Sequence, residues 1–325
     1  AISLLCLTLM ALVVWKLLNW AVFGAVFGDS GGPAACEAAS GACWSVIAAR
    51  WRIILFGLYP YDEQWRSALA CVAVVLMTVA SCVPACWTGR RIALIWALGA
   101  GLFYFLMKGG ALGLPYVGEE TWGGLALTLF IFVSTCVIGF PLAICLALMR
   151  RSKLFWISKL TGLIIDTIRS LPLISILFTF AVVLPFALPH WLQGDKLYRV
   201  IVGSALFFSA YQAEIVRGGF QGVPGGQEEA AMALGMSYRQ RISWILLPQA
   251  MRNALPATIN QFVITLKDTS ILSVIGIAEL TQTGRLIIAR NYQSFTMWLI
   301  IGVIYFIVIM ALTKLSDRLE RRLVK

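Results

Sequence analysis

Lys267-Asp268-Thr269-Ser270 sets two charges and two hydroxyls near the middle of a run, from Ala257 to Leu280, that is otherwise largely apolar. A charge at membrane depth is costly unless it meets a partner or an aqueous path, so this run points to binding or conduction rather than to lipid contact. At helical spacing Asn260 or Gln261, then Thr265, then Asp268 or Thr269 share one polar stripe. Either Asp268, Thr269 and Ser270 order a site for a polar ligand, or Lys267 and Asp268 are a buried pair that packs helices. Tyr211 and Glu214 join this set as further pathway residues. Glu214 also shares a helix face with Arg217, three residues on, either as a structural or gating ion pair or as two side chains snorkelling to the interface. Asp166 and Arg169 are spaced to pair across one turn, in a structural role at a membrane entry.

Catalytic chemistry finds no support. The single histidine, His190, follows Pro189 without a carboxylate or cysteine neighbour, and neither His-Glu-x-x-His nor Cys-x-x-Cys occurs. A Walker phosphate loop needs Gly-Lys-Ser/Thr, and the chain has no Gly-Lys pair. No catalytic residue, metal or cofactor is therefore assigned to the chain, and ATP energy would have to enter through a partner.

The elements that must position these residues are membrane helices. The 325 residues are 60% hydrophobic and 13% charged, with apolar runs longer than the roughly 20 residues that cross about 30 Å of hydrocarbon. Backbone amides in hydrocarbon must be satisfied within their own segment, which implies an all-α polytopic protein. Eight spans are expected: 2–27, 67–87, 92–107, 122–149, 171–188, 200–215, 257–280 and 295–312. An interface-lying helix is expected over 44–59, and an interfacial or partly inserted one over 154–170. The net charge of +11 does not indicate nucleic acid, because the basic residues cluster at the ends of apolar runs. Alternate loops carry 16 Lys and Arg against 8, which puts the 217–256 loop and the C-terminal tail in the cytoplasm and the 28–66 loop in the periplasm. Six of the eight cysteines lie in apolar runs; Cys36 and Cys43 lie in the polar 28–66 loop, as a disulfide or as two free thiols. Ala1 directly precedes an apolar run without a charged leader, which reads as a start inside a longer protein rather than a signal peptide.

Between the apolar runs lies the polar segment Gln227 to Pro248. Its Glu229-Ala230-Ala231, then Gly235, then Ile245, Leu247 and Pro248 resemble the EAA signature of bacterial ABC importer permeases at every fixed position. From Thr121-Trp122-Gly123-Gly124-Leu125 to the C terminus the chain resembles the polar amino-acid ABC permease family, including its Leu-Lys-Asp-Thr-Ser run at 266–270. In Asp166 to Leu173 it keeps Arg169 and Pro172 of that family's Phe-Arg-Gly-Thr-Pro, while Ile168, Ser170 and Leu171 depart. The resemblance implies a coupling helix, with Glu228, Glu229, Ala230, Ala231, Gly235, Ile245, Leu247 and Pro248 docking an ATPase. It implies that Asp268, Thr269 and Ser270 meet an amino-acid headgroup. It also implies a second permease subunit, in a heterodimer by likeness to the larger permeases, two ATP-binding subunits holding ATP and Mg, and a periplasmic binding protein. Residues 1–115 form a three-span extension and 116–325 a five-span core with a cytoplasmic coupling segment over 218–256. An ion-coupled secondary transporter is the alternative, and it leaves the EAA segment unexplained.

Overall fold

A computed structural model describes residues 2–28, 36, 40–291 and 294–323, and every regular element among them is helical. The order is α1 (Ile2–Leu18, extended by a π-helical turn at Asn19–Phe23), α2 (Trp44–Phe56), α3 (Gln64–Ser81), α4 (Gly89–Lys108), α5 (Gly124–Arg150) and α6 (Phe155–Ser170). Next come α7 (Leu173–Phe178, extended through Thr179–Val183 and Leu184–Ala187), α8 (Lys196–Gln221), α9 (Gly225–Ala233), α10 (Leu247–Asp268), α11 (Leu280–Asn291) and α12 (Ser294–Leu323).

Among the described residues, six helical segments are long and apolar enough to cross a membrane: Ile2–Phe23, Tyr61–Ser81, Gly89–Lys108, Gly124–Arg150, Lys196–Gln221 and Phe295–Leu315. A seventh arises if α6 and α7, bent by 101° at their junction, count as one. The eight spans expected are thus corrected in two places. The run from Leu171 is the second limb of the bent pair, because Pro172 cannot continue α6 and restarts the chain at α7. The run expected over 257–280 is not one helix. α10 starts earlier, at Leu247, and includes Gln249, Arg252, Asn253 and Gln261; it stops at Asp268 and passes into a 3₁₀ segment at Thr269–Ile275. There the hydroxyls of Thr269, Ser270 and Ser273 each donate to the carbonyl three residues back, at 2.7–2.8 Å, and Gly276 ends the segment in the left-handed region.

α5 is the axis of the bundle, with Ile131 and Val133 1% exposed and Phe103, Trp122 and Phe208 packed around it. Lipid tails are as apolar as leucine, so helices associate here through close packing of small residues. Toward the far end of the same bundle Ala143, Ala147, Ala210, Ala213 and Ala250 form a second buried cluster between α5, α8 and α10. α1 has no buried residue, and its C-terminal end is tied through Trp20 against Phe295 and the Trp44 indole donating to the Ala21 carbonyl.

The 28–66 loop does not simply lie on an interface. α2 packs with α5 and α11, burying Ile54 and Phe56, and Cys36 and Cys43 are joined by a disulfide with Cα atoms 5.5 Å apart. A side chain on Gly57 (φ +66) or Gly124 (φ +61) would collide with the backbone of the other strand of this contact, so the approach of α2 to α5 requires glycine. α4 ends nearby, and its last carbonyls are satisfied from a distance. Arg66, fully buried, donates to Leu106 O at 2.8 Å and Pro115 O at 3.0 Å, and the Tyr59 hydroxyl donates to Met107 O at 2.8 Å. Burial pushes the Tyr59 phenol up to about 12, so it stays a donor. Replacing Arg66 by Met removes the donor to Pro115 O, leaves Leu106 O only the longer hydrogen bond from Tyr59 at 3.2 Å, and takes away the ion-pair partner of Glu63. The expected cost is about 2–4 kcal/mol, read as a lowered unfolding midpoint of the purified protein in detergent.

Candidate functional site

Where α5, α7, α8 and α10 converge they enclose a cavity of about 20 Å³, enough for one or two water-sized groups. Its polar walls are Thr135 from α5, Ser204 from α8, and Thr265, Asp268 and Thr269 from α10 and the 3₁₀ segment, framed by Ile131, Phe208 and Leu272. Thr265 donates to Gln261 O at 2.8 Å and Thr269 to Leu266 O at 2.7 Å, so their protons are committed and lone pairs remain. The Thr135 hydroxyl is buried with no partner among the described residues. A carboxylate with acceptor-rich hydroxyls suits a small cationic donor such as a primary ammonium group.

The structure brings together three of the expected pathway residues, Thr265, Asp268 and Thr269, and separates the others. Gln261 is buried one turn earlier, and the Ser270 hydroxyl is turned back on Lys267 O. Tyr211 and Glu214 do not line the cavity; α8 carries them past it toward the α9 end, where the Tyr211 hydroxyl donates to Arg169 O at 3.2 Å. Lys267 is exposed, and among the described residues no ion pair joins it to Asp268, because adjacent residues on a helix project to different sides. Thr135 and Ser204 were missed. Neither stands in a recognisable motif, and only the meeting of α5 and α8 with α10 singles them out.

At the α9 end, four charges form one network. Glu214 accepts from Arg217 Nε and Nη2 at 2.9 and 2.7 Å and is 3.3 Å from Arg150 Nη1. Arg150, in the last turn of α5, grips Asp166 with both amino groups at 3.0 and 3.2 Å. The expected Asp166–Arg169 pair is therefore corrected: the two-pronged geometry from α5 wins, and the Arg169 guanidinium lies 5.2 Å from the Tyr211 ring instead. The Glu214–Arg217 pair is present.

α9 carries the Glu229-Ala230-Ala231 segment. Pro224 breaks the chain before it, and Gly235 (φ +72) ends it, with Gly235 N–H donating to Met232 O and Met236 N–H to Ala231 O in a glycine C-cap. Glu228 is tied inward by an ion pair with Arg151, which lies 5.0 Å from the Phe220 ring. Ala231 is buried, while Glu229, Ala230 and Gly235 are exposed. Leu234 (81% exposed), Met232 and Tyr238 make an apolar face beside them. Ile245 and Leu247 pack into the small-residue cluster, so these two seat the segment rather than present it, while the exposed Pro248 stands in the first turn of α10. Glu279, absent from the sequence reading, is fully buried; its carboxylate accepts from the Thr281 and Gln282 amides at 2.8 Å and from the Tyr305 hydroxyl at 3.0 Å, capping α11. A carboxylate just before a helical stretch is the signal that could have found it.

An all-α bundle of membrane spans, with a small cavity inside it that carries one carboxylate and a few hydroxyls, and with a short helix displayed on one end, fits a transport permease. The chain belongs to the family of binding-protein-dependent transport system inner membrane components, whose model matches residues 139–325. It is thus the membrane permease of an ABC-type importer, and the ion-coupled alternative falls. It is 37% identical to the inner membrane amino-acid ABC transporter permease protein YhdY of Escherichia coli (strain K12), over 98% of this chain and 87% of that protein. It is 33% identical to the glutamate/aspartate import permease protein GltK of Escherichia coli O157:H7, over 64% of this chain and 94% of that one. The crystal structure of an amino acid ABC transporter with histidines superposes with a TM-score of 0.56 at 34% identity, covering 61% of this chain and 92% of that chain.

Removing the Glu214 charge leaves Arg217 without its carboxylate and Arg150 with Asp166 alone, in a half-buried place, whereas Asp166 is exposed and serves one arginine. Glu214→Gln is expected to destabilise by about 2 kcal/mol and Asp166→Asn by less than about 1 kcal/mol, compared as detergent unfolding midpoints.

Proposed function

We propose that this permease moves polar L-amino acids from periplasm to cytoplasm, with the Asp268 cavity on their path. The observation that carries the reading is the pairing of the Asp268 carboxylate with acceptor hydroxyls in a space the size of an ammonium group. The cavity as it stands admits that group and not a whole amino acid, so the surrounding helices must part during transport. The amino-acid names of the relatives favour the same substrate class.

Energy enters through α9. Its exposed Glu229, Ala230, Met232 and Leu234 supply a docking face for an ATP-binding subunit, two copies of which would hold ATP and Mg. Movement of α9 would pass through the Arg151–Glu228 pair to α5, whose Thr135 lies 16 residues, about 24 Å, back along the helix from Arg151. The excess of Lys and Arg in the loops at that end favours a cytoplasmic α9 and C terminus, and the Cys36–Cys43 disulfide at the other end suits the periplasm. A second permease subunit in a heterodimer and a periplasmic binding protein complete the assembly. Residues 1–115 form a membrane extension and 116–325 the permease core, with 218–256 as the coupling segment; a smaller relative matched over 64% of this chain favours that division.

Two experiments test this. Asp268→Asn is expected to cut uptake of labelled polar L-amino acids at least tenfold in vesicles holding the assembled transporter, while the ATP-binding subunit still co-purifies; uptake equal to the parent sinks the site. Leu234→Glu is expected to abolish co-purification in detergent, and full recovery of the ATPase would rule out the docking face.

A further inference from the structure

α8 opens with Lys196-Leu197-Tyr198-Arg199, and three of these side chains each hold a different neighbour. Lys196 Nζ donates to the carbonyl of Ile275, the last residue of the 3₁₀ segment. Arg199 donates to Phe180 O and Ala181 O, each at 3.2 Å, and to Gln193 O at 2.8 Å. The first two belong to the π-helical turn of α7, where Pro185 has no N–H to offer the carbonyls before it, so the guanidinium replaces the missing donor.

The Tyr198 hydroxyl reaches in a third direction, to Glu119. Glu119 is held in turn by Lys108 Nζ at 2.8 Å, and the Tyr104 hydroxyl is 3.2 Å from that of Tyr198; both Tyr104 and Lys108 lie on α4. Burial alone would raise the Glu119 carboxyl, but the hydrogen bonds from Lys108 and Tyr198 hold it below the ordinary carboxylate range, so it stays charged. Val117 N–H closes the loop on Lys108 O at 2.8 Å, which ties Glu119 to the end of α4.

The elements gripped by this turn are the ones that wall the cavity: α8 through Ser204, α7 through Leu173, and the 3₁₀ segment through Thr269 and Leu272. We propose that Glu119 and Tyr198 are positioning residues for transport, through which α4 braces the first turn of α8 so that three walls of the cavity move as one unit. The inference rests on the reading of that cavity as the substrate path. It gives the N-terminal extension a task other than packing against lipid: it holds the end of the bundle opposite α9 in register with the stroke delivered there.

The test uses the assembled transporter in proteoliposomes, a labelled mixture of polar L-amino acids, and the variants Tyr198→Phe, Glu119→Gln and the double. Both single variants keep side-chain volume: Tyr198→Phe removes the hydroxyl that meets Glu119 and Tyr104, and Glu119→Gln removes the charge that Lys108 and Tyr198 hold. Expected is a fall of about fivefold in amino acid moved per ATP hydrolysed in each single variant, no further fall in the double, and KM within about twofold of the parent. A brace that is only structural would lower the unfolding midpoint and the amount of active protein while leaving the ratio of amino acid to ATP untouched. That result overturns the proposal, as does an unchanged ratio with an unchanged midpoint, or falls in the two singles that simply multiply in the double. A parent transporter that moves none of the labelled amino acids would instead refute the substrate reading and with it the ground on which this inference stands.

Discussion

Each backbone carbonyl and amide inside the bilayer must find a partner within the protein, and this structure is organised around the places where a helix cannot supply one. α4 ends and Arg66 with Tyr59 takes its carbonyls. α7 loosens into a π turn before Pro185 and Arg199 reaches across from α8. α10 stops at Asp268, and the hydroxyls of Thr269, Ser270 and Ser273 bond back along the chain. α11 begins and Glu279 receives its first amides. Three of these four repairs use a charged side chain, so the helix breaks are also where charge enters the bundle.

Two ends of the molecule result, with different chemistry. At the α9 end, Arg150, Arg151, Asp166, Glu214, Arg217 and Glu228 bind the ends of α5, α6 and α8 to the displayed helix. At the other, Glu119, Lys108, Tyr198, Lys196 and Arg199 bind α4, α7, α8 and the 3₁₀ segment. Between them lies a core of large apolar side chains around α5, with the alanine cluster of α5, α8 and α10 toward the α9 end.

How far the sequence carries varies from element to element. The segment from Gln227 to Pro248 is legible because its structure is local: Pro224 stops one helix, small residues and a carboxylate start the next, and Gly235 is needed for a left-handed cap. Thr265, Asp268 and Thr269 are legible because polar side chains in an apolar run have few alternatives to facing inward. Asp166 misled because the nearest opposite charge in sequence, Arg169, is not the nearest in space; Arg150, 16 residues away, arrives with better geometry. Thr135 and Ser204 are silent because a hydroxyl on an apolar helix is common, and only the crossing of α5 and α8 with α10 aims them at one point.

By itself the sequence determined that the protein is an all-helical membrane protein, and which residues near 268 are polar within an apolar run. These follow from hydropathy and from interactions between residues a few positions apart, which the chain writes down directly. The tertiary structure alone decided where the helices break and what repairs each break. It also decided that Glu119, tied to α4 through Lys108, meets Tyr198 of α8, and that the cavity beside Asp268 has walls on five elements. Partners separated by 40 to 79 residues, as Arg66 is from Leu106 and Tyr198 from Glu119, leave no periodic trace, because their meeting depends on how the helices pack.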